Sequence, residues 1–292
     1  WLSFPAMRDR TPTVRSRELG EGLRKAMQQA GMSGREIAGK LGWSDSRVSR
    51  LMAGTRGGTE ADVSAFLAIC GVTGKERERL LKLCKDQYIR SWFQQHGAHL
   101  PVQLTTLIDH ETKAVSIAEY QSTLVPGLLQ TGTYARAVIT ASGAVPDDEV
   151  EDRVSANIAR KSIFTRQHPP KFTFFIHEFV LRLPVGGAGV MSEQLHELLR
   201  MSVRPNVILR VLPAAIGAHP GCAGSFKLME FAEFKPVAYL DSETSSLFLE
   251  LPDEIAAYRR ILKSLDEIAL DEGQSREVIG NVAVELYESG ES

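Results

Sequence analysis

Apolar residues recur at helical spacing through the first quarter of the chain. Leu19, Leu23, Ala26, Met27 and Ala30 form one stripe, which predicts a helix over 14–30 closed by Gly31. Ser33 with Glu36 three residues later reads as a capping box, and Ile37, Ala38 and Leu41 give the helix behind it a buried face. Gly42 stops that helix and Ser44 caps a third beginning at Asp45. Its Val48 and Leu51 point inward, leaving Asp45, Ser46, Arg47, Ser49 and Arg50 largely outside. Gly54 ends it, Thr59 with Asp62 starts a fourth helix, and Val63, Phe66, Leu67 and Cys70 pack that one back. A small residue at 38, a turn glycine at 42 and an aliphatic anchor at 48 are what two closely approaching helices joined by a sharp turn require. The spacing fits a DNA-reading helix-turn-helix, and it fits a plain helical bundle too.

Farther on the period changes. A long helix is expected from Thr73 to about Gln95, with Leu80, Leu81, Leu83, Cys84, Tyr88, Trp92 and Phe93 apolar. It suits a rigid connector, a dimerisation element or a helix packed on its own domain. Residues 109–120 read as helix, with Ala114, Ile117 and Ala118 apolar. Val125-Pro126-Gly127 reads as a tight turn, and Thr131 or Gly132 leads into a helix carrying Tyr134, Ala135 and Val138. Residues 171–181, 207–211, 225–230, 237–241 and 247–250 have strand composition. Residues 191–201, with Ser192 as cap, 255–270 and 275–287 have helical spacing. The expected fold is an all-α helix-turn-helix domain followed by an α+β domain whose mostly antiparallel sheet is flanked by helices. The expected division is a flexible tail over 1–13, a DNA-binding domain over 14–72, a connecting helix and linker over 73–105, and an effector domain over 106–292. Residues 1–6 precede Met7 and are left out of the fold reading.

With 292 residues, 43% of them hydrophobic and 24% charged, two ordinary globular domains are expected. The net charge of -2 hides an asymmetry: residues 1–72 hold 11 of the 34 Lys+Arg but only 7 of the 36 Asp+Glu, so the acidic excess lies in the rest of the chain. A basic module on an acidic body suits nucleic-acid contact confined to one end. The three cysteines are widely separated and make no C-x-x-C pair, which suits a reducing cytoplasm. No apolar run approaches the length of a membrane helix, so no membrane partner is expected.

The stretch from Gly20 to Leu51, G-x-x-L-R-x-x-x-x-x-A-G-x-S-x-x-x-I-A-x-x-L-G-W-S-x-S-x-V-S-R-L, resembles the Cro and phage-repressor (XRE-like) helix-turn-helix of actinobacterial regulators. That resemblance implies a third helix in the major groove. Asp45, Ser46 and Arg50 would face base edges, and Arg50 would be suited to a bidentate contact with guanine. Arg35, Arg47, Ser49, Thr55 and Arg56 would lie nearer phosphates, beside the cap Ser44. Asp45 has a second reading, as a carboxylate serving the helix N-terminus. A second segment, Y-Q-S-T-L-V-P-G-L-L-Q-T-G-T-Y-A-R-A from Tyr120, looks like the hallmark of the C-terminal domain of WhiJ-type regulators. H-E-F-V-L-R-L-P-V-G-G, P-N-V-I-L-R-V-L-P, G-S-F-K-L-M-E-F and V-A-Y-L-D agree with it. The family implies double-stranded DNA as partner, a homodimer, and a small BldB-like protein encoded alongside, some such pairs being antitoxin-like. The expected function is a sequence-specific transcription regulator whose C-terminal domain binds a small protein or ligand. The alternatives are an antitoxin-like partner-binding protein that autoregulates its own operon and, third, an enzyme with a cryptic active site in the C-terminal domain, which nothing in the sequence requires.

Catalytic motifs are not met. Gly186-Gly187-Ala188-Gly189 lacks the Gly-Lys-Ser/Thr ending of a phosphate loop and reads as a connector. His177-Glu178 and His196-Glu197 begin like a zinc-protease motif but lack the second histidine, and His96 with His99 reads as a loop. His219 and Cys222 share a loop without an evident third group. No catalytic residue, cofactor or metal is expected.

Overall fold

The computed structural model describes residues 13–55, 58–86, 91–95, 102–242 and 245–290. Among them the N-terminal region is helical: α1 (Val14–Gln29), α2 (Gly34–Leu41), α3 (Asp45–Ala53), α4 (Glu60–Ile69) and α5 (Gly74–Asp86). Each start has a local cause. Thr13, Ser33, Ser44 and Thr59 each accept a backbone N–H of the first turn, and Glu36 and Asp62 complete capping boxes. Leu19, Leu23, Ile37, Val48, Val63, Phe66, Leu67 and Leu80 close the core; each such buried side chain stabilises by roughly 1.5–3 kcal/mol relative to exposure. Apart from Thr13, the expected tail over 1–13 lies outside the described residues, as do His96 and His99.

The helix expected to reach Gln95 does not do so: α5 is described over Gly74–Asp86, residues 87–90 lie outside the described residues, and residues 91–95 form strand β1 (Ser91–Gln95). The α+β region continues with α6 (Val102–Lys113), β2 (Ser116–Gln121), α7 (Gly132–Ser142), α8 (Val150–Ala159), β3 (Lys171–His177), α9 (Glu178–Arg182), α10 (Ala188–Ser202) and β4 (Val207–Leu212). Then follow β5 (Phe226–Glu230), β6 (Val237–Ser242), β7 (Ser245–Leu249), α11 (Pro252–Ile268) and α12 (Glu272–Gly290). The strand order in the sheet is β1-β7-β6-β5-β2-β3-β4. The sheet is largely antiparallel, as in the pairs β2–β5 and β5–β6, with a parallel arm in β2–β3 and β3–β4. That arm is joined by helical crossovers, as parallel pairs require. Three expectations change here. Residues 116–121 are a strand rather than the end of a helix. The strand at 171 ends at His177, which caps α9. The helix expected at 191 begins at Ala188, behind Gly187 rather than Ser192.

Contacts divide the chain into two units. One is Trp1–Trp92 with Glu233–Lys235 and Phe248–Leu251; the other is Phe93–Ala232, Pro236–Leu247 and Pro252–Ser292. The second is organised around a buried charge cluster. Glu111 on α6 accepts from the Arg160 guanidinium at 2.7 and 2.9 Å and from Lys227 on β5, and Lys227 also lies 3.2 Å from Glu119 on β2. The Val125-Pro126-Gly127 turn is built onto this cluster. Arg160 donates to Asn157, Asn157 to Gln130, and Gln130 to the Val125 carbonyl. The Val125 N–H donates to the Tyr134 hydroxyl, while Gln194 of α10 satisfies the Thr131 N–H and the Leu129 carbonyl. The segment that stands out in the sequence therefore ties α6, α7, α8 and α10 to the strand β2.

Burial by itself would raise the Glu111 carboxyl, but Arg160 and Lys227 outweigh it and hold it at about 2 instead of 4.5. A carboxylate depressed by folding contributes stability above its unfolded value and loses it as the pH falls toward its folded value. Urea unfolding of the wild type is expected to weaken between pH 4.5 and 2 in a step that Glu111→Gln lacks. Parallel pH profiles for the two proteins would contradict this.

Candidate nucleic-acid interface

Helix α3 is held at one end and open at the other. At its C-terminal end α1 comes close enough that a Cβ on Gly20 would lie 2.1 Å from the Met52 carbonyl oxygen. Arg24 of α1 donates to that same carbonyl at 3.1 Å, satisfying one of the acceptors a helix end leaves free. Gly42 and Gly54, with φ of +66° and +71°, let the chain reverse before and after α3 where a side chain would be strained. Val48 and Leu51 are buried, which turns Asp45, Ser46 and Ser49 outward as exposed residues, with Arg50 half-buried beside them.

The sequence-expected residues fall into three groups. Ser44, Asp45, Ser46, Ser49 and Arg50 share α3 and its cap. The Ser44 hydroxyl accepts the Arg47 N–H at 3.3 Å and lies 3.1 Å from the Ser46 hydroxyl. Arg35 and Thr55 join this face from neighbouring elements. Arg35 Nε is 3.5 Å from Asp45 Oδ2, with the two side chains 88% and 62% exposed, and the Thr55 hydroxyl donates to the Arg50 carbonyl at 3.3 Å. So open an ion pair holds weakly and yields readily to a competing phosphate. Arg47 forms the third group, because its guanidinium is engaged within the protein. It lies 4.1 Å from the Trp43 ring centroid and donates to Asp62 Oδ1 at 2.9 Å. Arg56 lies outside the described residues.

The arginines thus differ in commitment. Arg35 has one exposed partner and Arg47 has an aromatic face and a carboxylate. Arg50 has no hydrogen bond or ion pair from its side chain among the described residues, and its Nε is buried. An unpaired guanidinium at the edge of an exposed helix face is a donor fork awaiting an acceptor. Sequence reasoning met Gly20, Arg24 and Trp43 only as positions of the helix-turn-helix pattern and Asp62 only as part of the α4 start, and gave none of them a role at this face.

The candidates for other chemistry are placed differently. Cys222 Sγ accepts the His219 N–H at 3.3 Å. The His219 imidazole accepts from Gly221 at Nδ1, with Nε2 3.5 Å from the Tyr120 hydroxyl, so its ring atoms face partners other than the thiol. His177 Nδ1 accepts the Phe179 N–H as a helix cap, and His196 Nδ1 lies 2.7 Å from the Ser192 carbonyl. Among the described residues no group of three His, Cys, Asp or Glu is arranged to hold a metal, and no helix is long and apolar enough to cross a membrane.

Comparison with known families gives two matches. Residues 18–80 match a helix-turn-helix domain, and residues 104–281 match a domain of unknown function (DUF5753). No curated protein and no solved structure matches the chain.

Proposed function

The chain belongs to the DUF5753 family, with a helix-turn-helix domain at its N-terminal end, and from this premise we propose that α3 reads a short DNA site through Arg50 and the first-turn residues Asp45 and Ser46. The protein is a DNA-binding regulator of the two-domain kind in which the C-terminal domain engages a partner. The observation that carries the reading of the site is the unpaired guanidinium of Arg50 beside the exposed row Asp45, Ser46 and Ser49. Arg50 would donate in a bidentate fashion to guanine, with Arg35, Ser49 and Thr55 nearer the backbone. Pairing of two chains would supply a two-fold site.

Our proposal for the C-terminal domain is that it binds a small BldB-like protein or a ligand, and that this binding alters operator occupancy. The resemblance of the segment from Tyr120 to the C-terminal domain of WhiJ-type regulators supports this. The antitoxin-like reading differs in making the partner complex the main function, with DNA binding serving autoregulation. A cytoplasmic setting belongs to the same proposal and is supported by three cysteines, Cys70, Cys84 and Cys222, that form no disulfide.

The test uses the full-length chain and a duplex selected by it from random-sequence DNA. Arg50→Ala is expected to lower affinity for that duplex on the order of 10- to 100-fold, the ~1–3 kcal/mol of one bidentate base contact. Affinity for a scrambled duplex of equal length should change little. Equal binding of wild type and variant to the selected duplex at the same salt would sink the assignment.

A further inference from the structure

Arg47 is gripped from two sides that belong to two different connections. Trp43 lies in the turn between α2 and α3, immediately before the Ser44 cap. Asp62 lies in the first turn of α4, beyond the loop that follows α3. The Asp62 carboxylate has two tasks: Oδ2 accepts the Thr59 N–H at 3.1 Å as part of the α4 capping box, and Oδ1 accepts from Arg47 Nη2 at 2.9 Å. Thr59 Oγ1 in turn accepts the Asp62 N–H at 3.1 Å. One guanidinium therefore fastens the entry turn of α3 to the start of α4. A flat cation suits this, since its face can stack on the indole while its edge donates to the carboxylate. At 41% and 23% side-chain exposure the pair is partly shielded, unlike the open pair of Arg35 and Asp45.

Resting on the recognition-helix reading above, we infer that Arg47 is a positioning residue for DNA recognition. It sets the angle at which Asp45, Ser46 and Arg50 meet the bases, acting through Trp43 and Asp62 rather than by touching phosphate. A phosphate contact from Arg47 would have to break the Asp62 bond and leave that carboxylate facing the DNA backbone. The geometry favours keeping Arg47 where it is and letting the aligned Arg50 reach the groove.

Phosphate contact and positioning predict opposite results. The full-length variants Arg47→Ala, Asp62→Asn and the double variant are titrated with the selected duplex and with a scrambled duplex of equal length across a salt series. The Asp62→Asn side chain keeps a carbonyl oxygen for the α4 cap, so this variant is expected to fold even if Arg47→Ala does not. Each single change is expected to lower affinity for the selected duplex about tenfold, the size of one disturbed base contact. The slope of log affinity against log salt should stay constant. The double variant should bind no more weakly than the weaker single one, because both break the same contact. A slope smaller by about 0.9 for Arg47→Ala, the signature of one lost phosphate contact, with Asp62→Asn binding as well as or better than wild type, would overturn the inference. Parallel losses on both duplexes, tracking a lowered melting temperature, would overturn it as well. A silent Arg50→Ala would instead sink the recognition-helix reading itself, a result separable from a silent Arg47→Ala beside an active Arg50→Ala.

Discussion

Gly20→Ala is expected to abolish specific DNA binding although it changes none of the groove-facing residues. The new Cβ would sit 2.1 Å from the Met52 carbonyl oxygen and 2.8 Å from the Met52 carbonyl carbon, both backbone atoms that cannot rotate aside. Relief requires α3 to slide away from α1. That movement strips Arg24 from the carbonyl it caps and tilts the exposed row from Asp45 to Arg50. Overpacking of this kind costs about 1–3 kcal/mol or more. Helix propensity works the other way, because alanine inside a helix is better than glycine by about 1 kcal/mol. The sign of the stability change therefore shows which effect wins. Gly39 of α2, whose added Cβ meets nothing within 4 Å, supplies the control. Gly39→Ala should melt at or above the wild-type temperature and bind the selected duplex normally, whereas Gly20→Ala should melt lower and bind it no better than a scrambled duplex. A Gly20→Ala protein with wild-type melting and binding would show that α3 does not depend on this contact.

The contrast between those two glycines illustrates what was legible in the sequence. The helix boundaries around the site could be read because their causes are local: Ser33 with Glu36, Ser44, Thr59 with Asp62, and glycines where the chain reverses. The outward row of α3 followed from the burial of Val48 and Leu51 at helical spacing. Which arginine was committed could not be read, since Arg47 and Asp62 are 15 positions apart and meet only once α3 and α4 have packed. Nor could the close approach behind Gly20, which depends on where another helix's carbonyl falls. In the C-terminal domain, residues 114, 117 and 118 matched a helical stripe, yet 116–121 is the strand β2 paired on both sides. It carries the buried Glu119, whose charge is answered by Lys227 of β5, far away along the chain. A central strand holding a paired charge has no alternating pattern to display. The short strand β1 was absorbed into a predicted helix because Trp92 and Phe93 fit the apolar face of the helix before them.

Removing Arg160 tests how far that buried cluster holds the C-terminal domain together. Arg160→Ala is expected to lower stability by about 3–5 kcal/mol, the usual cost of removing one partner from a buried ion pair. Two carboxylates, Glu111 and Glu119, would then share the single cation of Lys227. The loss should extend to the Val125-Pro126-Gly127 turn. Asn157 would lose its donor from Arg160, and Gly127, whose hypothetical Cβ is 3.3 Å from Arg160 Nη1, would face a void. Removing the charge left behind should recover part of the stability, so Glu111→Ala combined with Arg160→Ala should cost less than the sum of the two single changes. The effect should also depend on pH in a defined direction. In the wild type the two cations keep the Glu111 carboxyl ionised to about pH 2; without Arg160, burial would raise it, and protonation as the pH falls would relieve the uncompensated charge. Urea unfolding should therefore show a wider gap between wild type and Arg160→Ala at about pH 7 than at about pH 4. A gap independent of pH would mean that Arg160 stabilises the fold by packing against the turn rather than by answering Glu111.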